Sequence, residues 1–323
     1  MTGVTEAAEP SPLGAVVVVG EALVDVVPGP DGGEPRDLPG GSPANVAVTL
    51  GRLGRAPVLV TSLADDARGS AVRGWLEASG VRVVTQAPST GRTSTAVVRL
   101  TESGSASYEF DLAWELSSAT LDRATAADDL GILHAGSIAT VLDPGADAVE
   151  AAMRSARGRA LVSFDPNARP AITPDVDAVR VRVERLVALS DVVKVSEEDL
   201  GWYYPGVDPL GAARRWAEAG PALVVVTLGG DGSVLVRGAD VVRVPGRRVQ
   251  VADTIGAGDT FMGALLDALV GLGAHGSRAR DELADPGVDQ LRSAAAWAAA
   301  AAAITVSRPG ADPPTRAELS AAM

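Results

Sequence analysis

Residues 251–266, VADTIGAGDTFMGALL, join a small-residue turn to a carboxylate at the start of an apolar helix. Gly256, Ala257 and Gly258 allow a backbone to come close to a ligand. Their N–H groups lie at a helix N-terminus, where free donors and the helix dipole favour an anion. Asp259 follows in the first turn. A carboxylate there is placed to take the proton of a hydroxyl that attacks a phosphoryl group. The same residues also make an ordinary helix start, and spacing alone leaves both readings open.

Four other stretches carry polar groups at the ends of apolar runs. Asp25, in GEALVD, follows the run at 16–19. Gly40, Gly41 and Asn45 lead into a helix with Val46, Leu50 and Leu53 on one side; Asn45 offers a donor and an acceptor to a sugar hydroxyl. GGSP is also common helix-start material. In FDPNARP, Asp165, Asn167 and Arg169 stand at alternate positions after a strand, a set able to hold substrate and phosphate groups. An Asx-Pro turn with a surface arginine explains it equally. TLGGDGS at 227–233 reads as a tight turn between two strands.

These segments need a scaffold, and the sequence supplies an alternation of strands and helices. Short apolar runs at 16–19, 58–61, 132–135, 161–164, 192–195 and 223–227 fit buried parallel strands, with helical patterns between them. Residues 93–100 and 106–110 alternate like half-exposed strands, joined by a turn at 102–105. Asp65–Asp66, before a helix near 66–78, reads as structural. GLGAHG at 271–276 follows a helix rather than a strand, so it reads as a helix end, not a phosphate loop.

Composition narrows the function further. The chain has 323 residues, 46% of them hydrophobic, enough for a large core. Its net charge is −13 with no basic run, which disfavours nucleic acid and anionic membrane surfaces. It has no cysteine and two histidines, His134 and His275, far apart in sequence. A thiolate metal site is therefore impossible and a zinc site improbable. Residues 1–14 read as a flexible tail without the pattern of a secretory signal, and the apolar run 294–304 is too short to span a bilayer. A cytoplasmic location is the expectation.

ADTIGAGDTFMGALL resembles the second signature of the ribokinase-like (PfkB) carbohydrate kinases, and GGSPANVAVTLGRLG at 40–54 resembles the first. The similarity runs from about residue 16 to 314. It implies an α/β fold, a ribokinase-like three-layer αβα sandwich over 15–323, with a small β-sheet lid from about 24–39 and 93–114. It implies Asp259 as general base and the N–H groups of Gly256, Ala257, Gly258 and Asp259 as an anion hole. Asp25, Gly40, Gly41, Asn45 and Arg169 would contact the sugar. Tyr108 and Phe110 would pack on it, or simply form the lid core. ATP would lie against Thr227, Gly229 and Gly232, with Ser196 and Lys194, the chain's single lysine, near the phosphates. Members usually have Asn-x-x-Glu organising Mg2+; here Ser196 and Asp199 stand in those places, so Asp199 is the Mg2+ candidate through water. K+ would be held by backbone carbonyls near Asp253 and the segment after the last long helix. The lid often forms a homodimer interface in this family.

Within that family the chain looks like the fructokinases. GGSPANVA, HAGSI at 134–138, DPNxR and KVSEED carry that resemblance. Ribokinases usually have lysine at Ser42 and a glutamate near Gly136. Fructokinases and 2-keto-3-deoxygluconate kinases commonly have an arginine after the lid aromatics, where this chain has Asp111. The expectation is transfer of the ATP γ-phosphate to fructose, giving fructose 6-phosphate. Ribose, 2-keto-3-deoxygluconate or adenosine remains an alternative acceptor, and a catalytically weak sugar-binding regulator another function. A nicotinamide-dependent dehydrogenase is opposed by the missing G-x-G-x-x-G after the run at 16–19.

Overall fold

Runs of β-branched residues build the centre of the molecule, because they pack well on a pleated surface buried on both faces. The computed structural model describes residues 13–29, 33–100, 106–126 and 129–323. The first half holds β1 (Ala15–Val19), β2 (Leu23–Val27), β3 (Arg36–Gly40), α1 (Ser42–Arg52), β4 (Val58–Ser62), α2 (Ala67–Ala78), β5 (Arg82–Gln86), β6 (Thr95–Leu100), β7 (Ala106–Asp111), α3 (Ser118–Thr125), β8 (Leu130–Gly136), α4 (Gly145–Ala156) and β9 (Leu161–Asp165). Then follow α5 (Val176–Leu189), β10 (Val192–Ser196), α6 (Glu197–Tyr203), α7 (Pro209–Ala219), β11 (Leu223–Thr227), β12 (Gly232–Arg237), β13 (Asp240–Pro245), α8 (Ala257–Gly271), α9 (Ala279–Ala284), α10 (Val288–Val306) and α11 (Arg316–Ala321).

Nine strands form one sheet in the order β13-β12-β11-β10-β9-β8-β1-β4-β5. Its strands from β11 to β5 are parallel, and β12 and β13 pair antiparallel at one edge. The alternation of side chains along β1 divides the interior. Val16 and Val18 enter a core with α1, α2, α8 and α10; Val17 and Val19 enter a second with α3 to α7. The result is the three-layer αβα sandwich expected from the sequence. Asp66 caps α2 through the Gly69 N–H (2.7 Å) and also accepts the Thr93 N–H (2.9 Å), the structural role expected of it.

A second, four-stranded sheet has the order β3-β2-β6-β7, with β2 and β6 parallel. Its strands match the lid segments read from the sequence. Residues 1–12 of the expected tail, the turn at 102–105 and the Tyr108 side chain lie outside the described residues. Among the described residues no single helix is long and apolar enough to cross a membrane.

The chain leaves β1 for β4 and β5 on one side and reaches β8, β9, β10 and β11 on the other. Between β1 and β8 the winding reverses, and a ligand crevice opens at the strand C-termini of such a switch point. Helix α8 is the structural post beside it. Its Leu265, Leu266 and Leu269 are fully buried, each stabilising the fold by about 1.5–3 kcal/mol. Gly263 lets α1 approach closely: a Cβ there would lie 2.7 Å from Thr49 Cβ.

Candidate active site

The close packing of α1 on α8 aligns their polar residues. Ser42, Asn45 and Thr49 are spaced at three and four along α1, so they share a face. Asp259 and Gly263 are four apart on α8. Thr49 meets Gly263, and one turn nearer the helix starts the two other residues meet Asp259. Ser42 Oγ donates to Asp259 Oδ1 (2.7 Å) and Asn45 Nδ2 donates to Oδ2 (2.8 Å). The two expected signatures, more than 200 residues apart, therefore meet through side chains. Asp259 is buried, and that burial raises its carboxyl above the usual range; the two donors and Lys194 oppose the shift.

Gly256 begins α8 in the left-handed region, at φ 74°, where a side chain would be strained. The Thr260 N–H is the first to reach a helical carbonyl, Gly256 O at 2.8 Å. The Gly258 and Asp259 N–H groups thus have no helical acceptor, which leaves them as donors that could receive an anion. The Ala257 N–H differs from expectation: it leans to Thr254 O at 3.3 Å.

These groups open into a cleft of about 510 Å³ between the large sheet and the small one. Asp25, Gly41, Asn45, Phe110 and Arg169 line it together with Asp259. Gly40 stands behind Asp25; a Cβ there would meet Asp25 Oδ2 at 2.4 Å. Burial pushes the Asp25 carboxyl up to about 6, with Arg169 drawing it down. Ala96 and Phe110 of the small sheet form one apolar wall.

Beneath the Gly258 turn lies an ion pair. Lys194 Nζ donates to Asp165 Oδ2 at 2.8 Å, and both residues are buried. A Cβ on Gly258 would lie 2.9 Å from Lys194 Nζ. Burial disfavours the ammonium, but Asp165, with Asp199 and Asp259, holds the Lys194 pKa above its ordinary value. Asp165 Oδ1 and Asn45 Oδ1 are buried acceptors without a protein partner among the described residues.

Ser196 and Asp199 form a capping box on α6: the Asp199 N–H donates to Ser196 Oγ (3.0 Å) and the Ser196 N–H to Asp199 Oδ2 (3.5 Å). Asp199 Oδ1 also accepts the Ala168 N–H (3.1 Å), which ties down the DPNAR loop. Both Asp199 oxygens thus serve the backbone. Asp253 is similar. Its oxygens accept the Ile255 N–H (3.0 Å) and the Gly310 N–H (2.9 Å), so it joins the two segments expected at a K+ site. Among the described residues no group of three or more His, Asp or Glu side chains is arranged to hold a metal.

Thr227, Gly229 and Gly232 lie at the β11–β12 turn, and Ser196 pairs in register with Thr227. They stand outside the cleft lining, beyond β9 and β10. Four features of this region were not read from the sequence: Ser42 on Asp259, the Asp165–Lys194 pair, and Glu21 and Ser137 in the cleft wall. An acid two residues after a buried strand was the available signal for Glu21.

A family model described as pfkB family carbohydrate kinase matches residues 14–318. The chain belongs to this family. Members similar to it include the fructokinase of Rhizobium leguminosarum bv. trifolii, 35% identical over 268 residues, which are 79% of this chain and 79% of that protein. Among solved structures, fructokinase from Xylella fastidiosa with bound ATP superposes with a TM-score of 0.83 at 29% identity, covering 95% of this chain and 97% of that one. Fructokinase from Vibrio cholerae O395 with fructose, ADP and calcium gives 0.80 at 28%, covering 96% and 98%; a double mutant with fructose, ADP and potassium gives 0.81 at 29%, with the same coverage. The family's sandwich with a small added sheet is the fold described above.

Proposed function

We propose that this chain is a fructokinase that transfers the γ-phosphoryl group of ATP to O6 of fructose, in the cleft between the two sheets. The observation that carries the reading is the Asp259 carboxylate, buried at the start of α8 and gripped from α1 by Ser42 and Asn45. Asp259 takes the proton of the attacking hydroxyl. The O6–P bond forms as the bond from Pγ to the β-phosphate oxygen breaks, and ADP leaves. The Gly258 and Asp259 N–H groups receive the charge of the transferring group, a preorganised stabilisation worth about 3–4 kcal/mol per donor in comparable sites.

Asp25 and Arg169 are assigned to the sugar, with Asn45 Oδ1 as a further acceptor for a hydroxyl. Ser196, Thr227, Gly229 and Gly232 are assigned to the nucleotide. Lys194, under the Gly258 turn, adds fixed positive charge near its phosphates. Magnesium carried by the nucleotide would neutralise phosphate charge. The unpartnered Asp165 Oδ1 is a second candidate for a water of that ion beside Asp199, each of whose oxygens accepts one backbone N–H and has a lone pair left. The carbonyls around Asp253 and Gly310 are the candidate K+ ligands. The small sheet, whose edge strand β3 exposes Leu38, is assigned both to closing the cleft and to pairing with a second copy. A cytoplasmic location completes the proposal.

The test is ADP release with Mg2+, with and without K+, against fructose, ribose, 2-keto-3-deoxygluconate and adenosine. Fructose is expected to give the highest kcat/KM, by about 100-fold or more, since a site built to pair with hydroxyls rejects mismatched ones strongly. Equal or faster turnover of another acceptor would replace fructose. Sugar binding without ADP release would favour the regulator.

A further inference from the structure

Glu21 has no part in the assignments above, yet it faces the same cleft. It follows β1 by two residues, at the switch point between β1 and β8. Its backbone is fixed by its neighbours: the Gly20 N–H donates to Val60 O (3.2 Å) and the Ala22 N–H to Thr61 Oγ1 (3.1 Å). Its Oε2 accepts the Ala139 N–H at 3.3 Å, and the Ser137 side chain lies close enough to the same carboxyl to favour its charged form. Ser137 also lines the cleft, and its φ of 57° is a left-handed conformation that a non-glycine residue seldom adopts.

A carboxylate can accept about four hydrogen bonds, so capacity remains beyond the Ala139 N–H and the neighbouring donors. The residue is only 6% exposed. Burying a carboxylate is costly unless donors replace the lost water, whereas a neutral side chain would cap the one-turn Ser137–Thr140 segment without that cost. Burial pushes the carboxyl up to about 7 despite the pull of Ser137, its backbone donors and Arg169. Its remaining acceptor capacity lies at the cleft, which admits a ligand hydroxyl in place of water.

We propose that Glu21 is a sugar-binding and specificity-determining residue, its carboxylate accepting a hydroxyl of the sugar other than the one phosphorylated while Ser137 and the Ala139 N–H hold it in place. The inference rests on the proposed function of the cleft as the sugar site. Arg169 and Asp25, on the facing loop and on β2, keep the carboxylate in a polar wall that suits a neutral polyol.

Steady-state kinetics of Glu21→Gln, with Asp25→Asn as a reference, test it on fructose and on its monodeoxy analogues. Glu21→Gln is expected to raise KM for fructose by about 10- to 100-fold, the range of a charge-assisted hydrogen bond, with kcat within about threefold of wild type. On one deoxy analogue the wild type and the variant should have the same KM, because the partner hydroxyl is gone. An unchanged KM for fructose, or an equal penalty on every analogue, overturns the inference and leaves Glu21 a cap. If Glu21→Gln does not fold, Ser137→Ala takes its place; a smaller KM rise that vanishes on one analogue supports the inference, and a uniform rise overturns it. Where Asp25→Asn raises KM and Glu21→Gln does not, this inference alone fails. Where neither changes KM, the cleft is not the sugar site.

Discussion

Asp259→Asn is expected to lower kcat by about 10²- to 10⁴-fold, the usual contribution of a positioned general base, while the protein stays folded. The amide oxygen can still accept the Ser42 hydroxyl or the Asn45 amide, so the joint between α1 and α8 survives. Stability should not fall at neutral pH. Burial raises the Asp259 carboxyl, so its contribution to folding is present in acid and lost as pH rises through the folded-state value. A neutral side chain removes that cost. Thermal unfolding and ADP release on one preparation separate the two effects. The same reasoning sets the pH profile: the base acts ionised, so kcat/KM falls on the acid side, and its limb lies above the ordinary aspartate range. Glu21, at about 7, and Asp25, at about 6, titrate in the same region, so the limb belongs to several groups. A variant with near-wild-type kcat would remove Asp259 from the mechanism.

The second large effect belongs to Lys194. Its ammonium and the Asp165 carboxylate are nearly inaccessible, at 4% and 1% side-chain exposure, and Asp199 and Asp259 add negative charge nearby. Lys194→Met leaves those acids without their cation, and breaking one side of a buried pair costs about 3–5 kcal/mol. Urea unfolding should show that loss, and it should shrink as pH falls and the acids take up protons. The double variant Lys194→Met/Asp165→Leu should recover much of it, since the uncompensated charge goes with its partner. Turnover should stay low in both variants, because the positive charge under the Gly258 turn is gone. A single variant as stable as wild type would show that the pair is not the keystone of this region.

The large sheet was legible because continuous valine runs and the helices between them repeat one pattern along the chain. Of the small sheet, β6 and β7 were legible from their alternating residues, whereas β2 and β3 came from the family resemblance: the Pro- and Gly-rich stretch before Gly40 looks like a loop, and the parallel pairing of β2 with β6 has no local signal. Asp259 could be read because its turn, helix start and carboxylate are contiguous and resemble a family signature; the spacing alone fits a plain helix start as well. Its partners on α1 were harder. Ser42 looked like helix-start chemistry, and only the approach permitted by Gly263 turns it onto a carboxylate 217 positions away. Lys194 stood out as the single lysine, but its pairing with Asp165 depends on the adjacency of β9 and β10, which sequence order alone does not fix. Glu21 went unread because an acid after a strand is usually solvated. Here the turn at Ser137 closes over it. Asp199 shows a role the motif did not reveal: its oxygens also accept backbone N–H groups that tie α6 and the DPNAR loop in place.

The most direct test of the central claim is the position of the phosphoryl group on the product made from fructose and ATP, read by phosphorus–proton correlation in NMR. The account predicts fructose 6-phosphate formed in step with ADP. A phosphoryl group on another oxygen, or ADP formed without any sugar phosphate, would contradict it.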